Sequence, residues 1–226
     1  MTTLAKLLAE PGVREVLELR APVGFLALHG GNQDRVTDEI ALAAADRADA
    51  SVYAVVQPPD LRLHIPSHRY APSDSQQLRR FLEHVRLTIS VHGYGVDSWR
   101  MDWRPPGFDE TRLGRFHARE AFLIGGRNRE RAAELAACLR AALPGYEVWD
   151  DLDRIPPKAS GMDPRNPVNL TAEAGVQVEC PPRVRGLGPN ASPEDVGVLV
   201  DVLAHAAADW DAELSSSRPA RRATRA

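Results

Sequence analysis

The chain has 226 residues, 43% hydrophobic and 26% charged, with a formal net charge of −3. That is enough for one sizeable α/β domain with a proper core, and nothing in the charge balance points to nucleic acid. Cys138 and Cys180 lie in no CxxC pattern, which argues against a disulfide framework or a zinc ribbon and fits a reducing cytoplasm.

The first sixteen residues carry acids and only a short apolar stretch, so neither a signal peptide nor a membrane span is expected there. Val23 to Leu28 is an apolar run that reads as a buried strand and ends in His29-Gly30-Gly31. A polar loop over residues 32–36 follows, and Thr37 is a candidate cap for a helix through Ile40, Leu42 and Ala44. Ser51–Val56 is a second strand stopped by Pro58-Pro59, and Leu61–Ile65 a short third one. A helix is expected from Ser73 to Val85, with Leu78, Phe81, Leu82 and Val85 on one face. Leu87–Val91 is the next buried strand, leaving through His92-Gly93-Tyr94-Gly95.

Residues 96–115 read as an exposed loop or insertion, and Trp99, Trp103 and Phe108 fall within it. Ala121–Gly126 is a strand with a glycine turn, followed by a helix from Asn128 to Leu143 that Pro144-Gly145 stops. Tyr146–Trp149 and Gly175–Cys180 are strands on either side of a proline-rich stretch, 156–167. A last helix, Ser192 to Leu214, begins with a cap, a first-turn proline and early acids. Residues 1–214 therefore form one domain, and the basic, hydrophobic-poor tail 215–226 is expected to be disordered. Strands alternating with helices predict a mixed, mostly parallel sheet flanked by helices.

Two histidines leave buried strands straight into glycine. That places two imidazoles on the rim where open α/β sheets bind ligands, and imidazole is the commonest zinc ligand. A catalytic zinc takes three protein ligands and keeps one open position. The loop after His29 offers Asp34, Asp38 and Glu39. Asp34 is close enough to fold back onto the same ion. Asp38 and Glu39 also suit a helix's first turn, and Glu39 could equally support a histidine from behind. Glu179 interrupts an apolar strand and shares a face with Gln177. A buried carboxylate there is costly unless paired or functional, and it is the candidate to take a proton from water. Either residue could instead face solvent on an edge strand. The chain has no GxGxxG after its first strand, no phosphate-loop pattern, no GxSxG elbow and no HExxH.

The ordered motifs Ala27-Leu28-His29-Gly30-Gly31, Thr37-Asp38-Glu39-Ile40-Ala41, Leu63-His64-Ile65-Pro66-Ser67, Ser90-Val91-His92-Gly93-Tyr94, Ile124-Gly125-Gly126, Asn166-Pro167-Val168-Asn169 and Gly175-Val176-Gln177-Val178-Glu179 together resemble the poly-gamma-glutamate hydrolase family. Its founding members are bacteriophage-encoded. The resemblance covers residues 23–187 and implies a zinc carboxypeptidase-like fold, with zinc held by His29, His92 and Asp34. Asp34 stands where the family has a glutamate, so the loop must come one methylene closer. The resemblance also implies that Glu179 is the general base and acid, and that the reaction is zinc-assisted hydrolysis of the gamma-linked amide in an anionic glutamyl polymer. Arg127, Arg165, Arg183 and Arg185 are candidates for its free carboxylates. His64 is a candidate substrate contact, whereas His68, His84, His117 and His205 read as structural or exposed. Two alternatives remain open: an amidase or deacylase of a small N-acyl or gamma-glutamyl compound, and a non-catalytic metal-binding relative. Neither a nucleic-acid nor a membrane partner is expected.

Overall fold

The computed structural model describes residues 2–95, 121–188 and 190–216. The expected insertion 96–115, with its three aromatic residues, and most of the basic tail lie outside these residues. Among the described residues seven strands form one sheet in the order β1-β3-β2-β4-β7-β5-β6. The strands are β1 (Arg14–Glu18), β2 (Val23–Gly31), β3 (Ser51–Gln57), β4 (Leu87–Gly93), β5 (Ala121–Gly125), β6 (Glu147–Trp149) and β7 (Gly175–Cys180). The helices are α1 (Leu4–Leu8), α2 (Thr37–Ala48), α3 (Gln76–His84), α4 (Arg129–Ala142) and α5 (Pro193–Ser216). Pairing is parallel except at β1–β3 and β5–β7. The expected mixed, mostly parallel sheet is therefore the architecture found.

Strand alternation sorts side chains into two layers. On one face Phe25, Ala27, Ile89, Val91, Val176 and Val178 pack with Ile40 and Ala44 of α2, Leu135 of α4 and Leu203 of α5. On the other, Leu26, Leu28, Tyr53 and Val55 pack with Leu4 of α1 and Phe81 of α3. The chain steps from β2 to β3 on one side and then returns past β2 to β4. The strand order thus reverses between β2 and β4, and a crevice opens at their carboxyl ends.

Three local expectations are corrected. Leu61–Ile65 is irregular, because the Gln57 side chain both donates to Leu63 O and accepts from Leu63 N. An amide group has taken the bonds a strand partner would supply. Helix α3 begins after Ser75, not at Ser73, since Ser75 Oγ accepts from Leu78 N at 3.0 Å. Thr37 is the first residue of α2 and not its cap; the cap is Val36, in the left-handed region at φ 77°, a conformation a β-branched residue adopts only under constraint. Strand β1 has no counterpart among the expected strands, and α5 runs two residues past the expected domain end at 214.

Candidate metal centre and active-site cleft

The functional side chains come from the ends of three neighbouring strands. His29 stands near the end of β2, at an irregularity in the β2–β3 register between Ala27 and Gly30; such bulges re-aim a side chain. His92 is next to last on β4. Glu179 is next to last on β7 and stands opposite His92 in the parallel register. Asp34 comes from the β2–α2 loop, which folds back so that Asp34 N donates to His29 O at 2.7 Å. Thr37 Oγ1 donates to the Asp34 carbonyl at 2.7 Å. Together with the strained Val36, these bonds tighten the loop enough for the shorter aspartate side chain to reach both histidines.

Asp34 Oδ2 lies 3.3 Å from His29 Nδ1 and 3.7 Å from His92 Nδ1. It also accepts from Gly93 N at 3.3 Å. The two Nδ1 atoms are 3.2 Å apart. One donor atom from each of the three residues lies within 4.8 Å of the others. Behind this cluster His29 Nε2 sits 2.8 Å from Ile65 O. A carbonyl only accepts, so Nε2 carries the hydrogen and neutral His29 presents a lone pair at Nδ1. His92 Nε2 is held by Ser90 Oγ at 2.9 Å. Two ring nitrogens and a carboxylate aimed at one point repel unless a cation lies among them. The set has the composition of a catalytic zinc site: nitrogen and oxygen donors, three protein ligands, histidines oriented from behind.

Electrostatics agree with this geometry. Burial pushes the Asp34 carboxyl up, but in the metal-free chain the imidazoles of His29 and His92, which bond it when Nδ1 carries a proton, outweigh burial and hold Asp34 well below the usual carboxylate range. Burial opposes the charge on His29, yet the Asp34 bond and charge raise it; for His92 burial wins and the ring is lowered. Burial, then the Asp34 charge, raise Glu179 to about 8. Glu179 is 9% exposed and opens on the cleft.

Glycine matters at two positions here. At Gly31, with φ 68°, a Cβ would stand 2.0 Å from Gln57 O. At Gly93 it would stand 2.5 Å from the Arg185 guanidinium carbon. That buried guanidinium donates to Arg35 O at 2.9 Å and Tyr94 O at 2.5 Å. It thus ties the Asp34 loop to the exit of the His92 strand.

The cleft has a volume of about 610 Å³. His29, Asp34, His92, Glu179 and His64 all line it, and the His64 ring lies 5.1 Å from that of His29. Burial, then the nearby charge of His29, lower the His64 pKa. Glu39 is exposed and outside the cleft, and Asp38 accepts from Gly31 N at 2.9 Å; among the three loop acids, Asp34 alone faces both histidines. Gln177 and Glu179 are buried on an interior strand, not on an edge. Three of the expected arginines are not brought to the cleft. Arg127 is exposed, and Arg165 folds back onto Asp163 at 2.8 Å. Arg183 lies over the Tyr146 ring at 4.7 Å. The cleft instead carries Lys158 and His68. His68, which reads in the sequence as structural or exposed, stands 3.9 Å from Asp163 on the cleft wall. Only their place in or beside the proline-rich and Leu63–Ser67 stretches hinted at either residue.

The model of the poly-gamma-glutamate hydrolase family matches residues 4–101 and 114–188. The chain belongs to the poly-gamma-glutamate hydrolase family. The bacteriophage poly-gamma-glutamate hydrolase structure is similar at 18% identity, with 89% of this chain and 90% of that one covered and a TM-score of 0.66. A zinc-free apo structure of YndL is similar at 21% identity, covering 86% and 88%, with a TM-score of 0.64. A metallo-carboxypeptidase from Burkholderia cenocepacia is similar at 9% identity, covering 94% of this chain and 68% of that one, with a TM-score of 0.50. At these identities the structural likenesses establish the fold, which is zinc carboxypeptidase-like. No curated protein matches the chain. No helix among the described residues of this poly-gamma-glutamate hydrolase family member is long and apolar enough to cross a membrane.

Proposed function

We propose that this family member is a zinc-dependent hydrolase of gamma-glutamyl amide bonds. The observation that carries the reading is the convergence of His29 Nδ1, His92 Nδ1 and Asp34 Oδ2 beside Glu179 in one cleft. His29, His92 and Asp34 would hold the zinc, with Asp34 replacing the glutamate of the family pattern. Zinc in such a set supplies Lewis acidity, acidifying a water and polarising an amide carbonyl.

The chain's own residues do the rest. Ile65 O and Ser90 Oγ fix the rings so that both Nδ1 atoms face the cleft. Glu179 accepts the proton from the attacking water and returns it to the leaving nitrogen. A carboxyl whose pKa is raised towards neutrality suits both transfers. His64, beside His29 in the same cleft, donates to the substrate. The substrate is an anionic gamma-glutamyl chain, whose carboxylates meet Lys158 and His68 on the same wall. We place the enzyme in the cytoplasm, where the unpaired Cys138 and Cys180 stay reduced.

The test is a product profile after incubation of the zinc-loaded protein with poly-gamma-glutamate and with small gamma-glutamyl amides. Shortened polymer supports the reading. Untouched polymer with cleavage of a small amide shifts the substrate to the small class. No cleavage of either leaves a metal-binding relative without this activity.

A further inference from the structure

The face that carries His92 and Glu179 holds a third polar layer that the proposed reaction does not use. Gln177 lies one alternation before Glu179 on β7 and is 3% exposed. Its Nε2 lies 3.1 Å from Ala159 O and 3.0 Å from Glu179 Oε1. Its Oε1 lies 3.0 Å from Asn166 Nδ2. The Ala159 carbonyl cannot donate, so the nitrogen of the Gln177 amide must face it. Asn166 Oδ1 accepts from Val168 N at 3.4 Å, which turns Asn166 Nδ2 towards Gln177. Both hydrogens of the Gln177 amide and its oxygen are thereby spent, and the amide has one orientation.

We propose that Gln177, locked by Asn166 and Ala159, is the positioning residue for Glu179 and selects the oxygen through which it works. Nε2 donates to Oε1 and keeps that oxygen an acceptor. The proton taken from water is therefore carried on Oε2. The same amide ties the carboxylate to the 157–166 segment that forms the cleft wall, so the proton carrier and the wall hold one spacing. A packing residue in this place would need no particular polarity; methionine would fill the volume.

This inference rests on the hydrolase reading. The experiment compares steady-state kinetics and zinc content of the parent, Gln177→Met and Thr88→Val on whichever gamma-glutamyl substrate the parent cleaves. Thr88 is the control: its buried Oγ1 donates to Val168 O at 3.0 Å, holding the adjoining turn Pro167–Asn169 without a bond to Glu179. The expected result is a fall in kcat of about tenfold or more for Gln177→Met, with KM and zinc content close to the parent's. Thr88→Val should lower Tm and keep kcat within about twofold. Parent-like kcat in Gln177→Met overturns the proposal, as does an equal loss in Thr88→Val. If Gln177→Met does not fold, Asn166→Ala, which removes the lock and the bond to Val168 N but leaves the Gln177 amide in place, is read by the same criteria. An active parent with an unimpaired variant overturns the positioning role alone. A parent that cleaves nothing overturns the hydrolase reading, and the positioning role falls with it.

Discussion

The two faces of β4 and β7 are made of the same strands and do opposite work. Ile89, Val91, Val176 and Val178 point one way, into helices, and form an apolar core. Ser90, His92, Gln177 and Glu179 point the other way, under an irregular segment rich in single turns, and form a buried polar layer. Successive residues thus alternate between packing and chemistry. The apolar face is held by area removed from water, which tolerates many shapes. The polar face is held by pairing, so each group lost leaves another unsatisfied. Stability and function should therefore separate by residue parity.

The largest break in that comparison comes from Glu179→Gln. It should lower kcat by about 10²–10⁴-fold while zinc content and fold are kept, as measured by steady-state kinetics and metal analysis. Next comes Ile89→Ala on the opposite face, which should cost about 2–5 kcal/mol of stability in denaturant unfolding while the folded fraction keeps its kcat. Equal damage to activity from both variants would break the separation.

A third effect sharpens the comparison through pH. In the metal-free chain burial raises Glu179 from its ordinary 4.5 to about 8. The folded state then binds a proton that the unfolded state has released. Its contribution to stability is complete below about 4.5 and is lost as pH rises through about 8. Unfolding of metal-free parent and Glu179→Gln across this window should differ by a slope that falls with pH in the parent and is missing from the variant's remaining histidine-driven dependence. The smallest effects concern the basic residues. Lys158→Ala and His64→Ala should raise KM several-fold, about 1 kcal/mol of lost contact. Arg127→Ala and Arg183→Ala, both away from the cleft, should leave KM within about twofold.

The sheet was legible because its central strands β2 and β4 are largely apolar runs that leave through histidine and glycine, as strands buried on both faces do. Strand β1 was not, because Arg14-Glu15-Val16-Leu17-Glu18 is half-exposed at an edge and its charges mask the alternation. Leu61–Ile65 alternates like a strand, but the nearby Gln57 side chain captures its backbone, which spacing cannot reveal. The two histidines were legible from their place at strand ends. Choosing Asp34 over Glu39 needed the fold of the loop, since both are acids within one turn of each other. The arginines lie elsewhere for a physical reason: a long cation goes where its partner is, whether that is two residues away, as Asp163 is for Arg165, or remote, as Tyr146 is for Arg183. Arg183 and Arg185 are two residues apart on one short turn, yet one lies over Tyr146 and the other reaches under Gly93.

The central claim is that His29, Asp34 and His92 hold one zinc ion. The direct measurement is metal content by mass spectrometry of zinc-loaded parent, His29→Ala and Asp34→Ala. The account predicts about one zinc per chain in the parent and its loss in both variants. Zinc retained in Asp34→Ala, or a parent that takes up none, would contradict it.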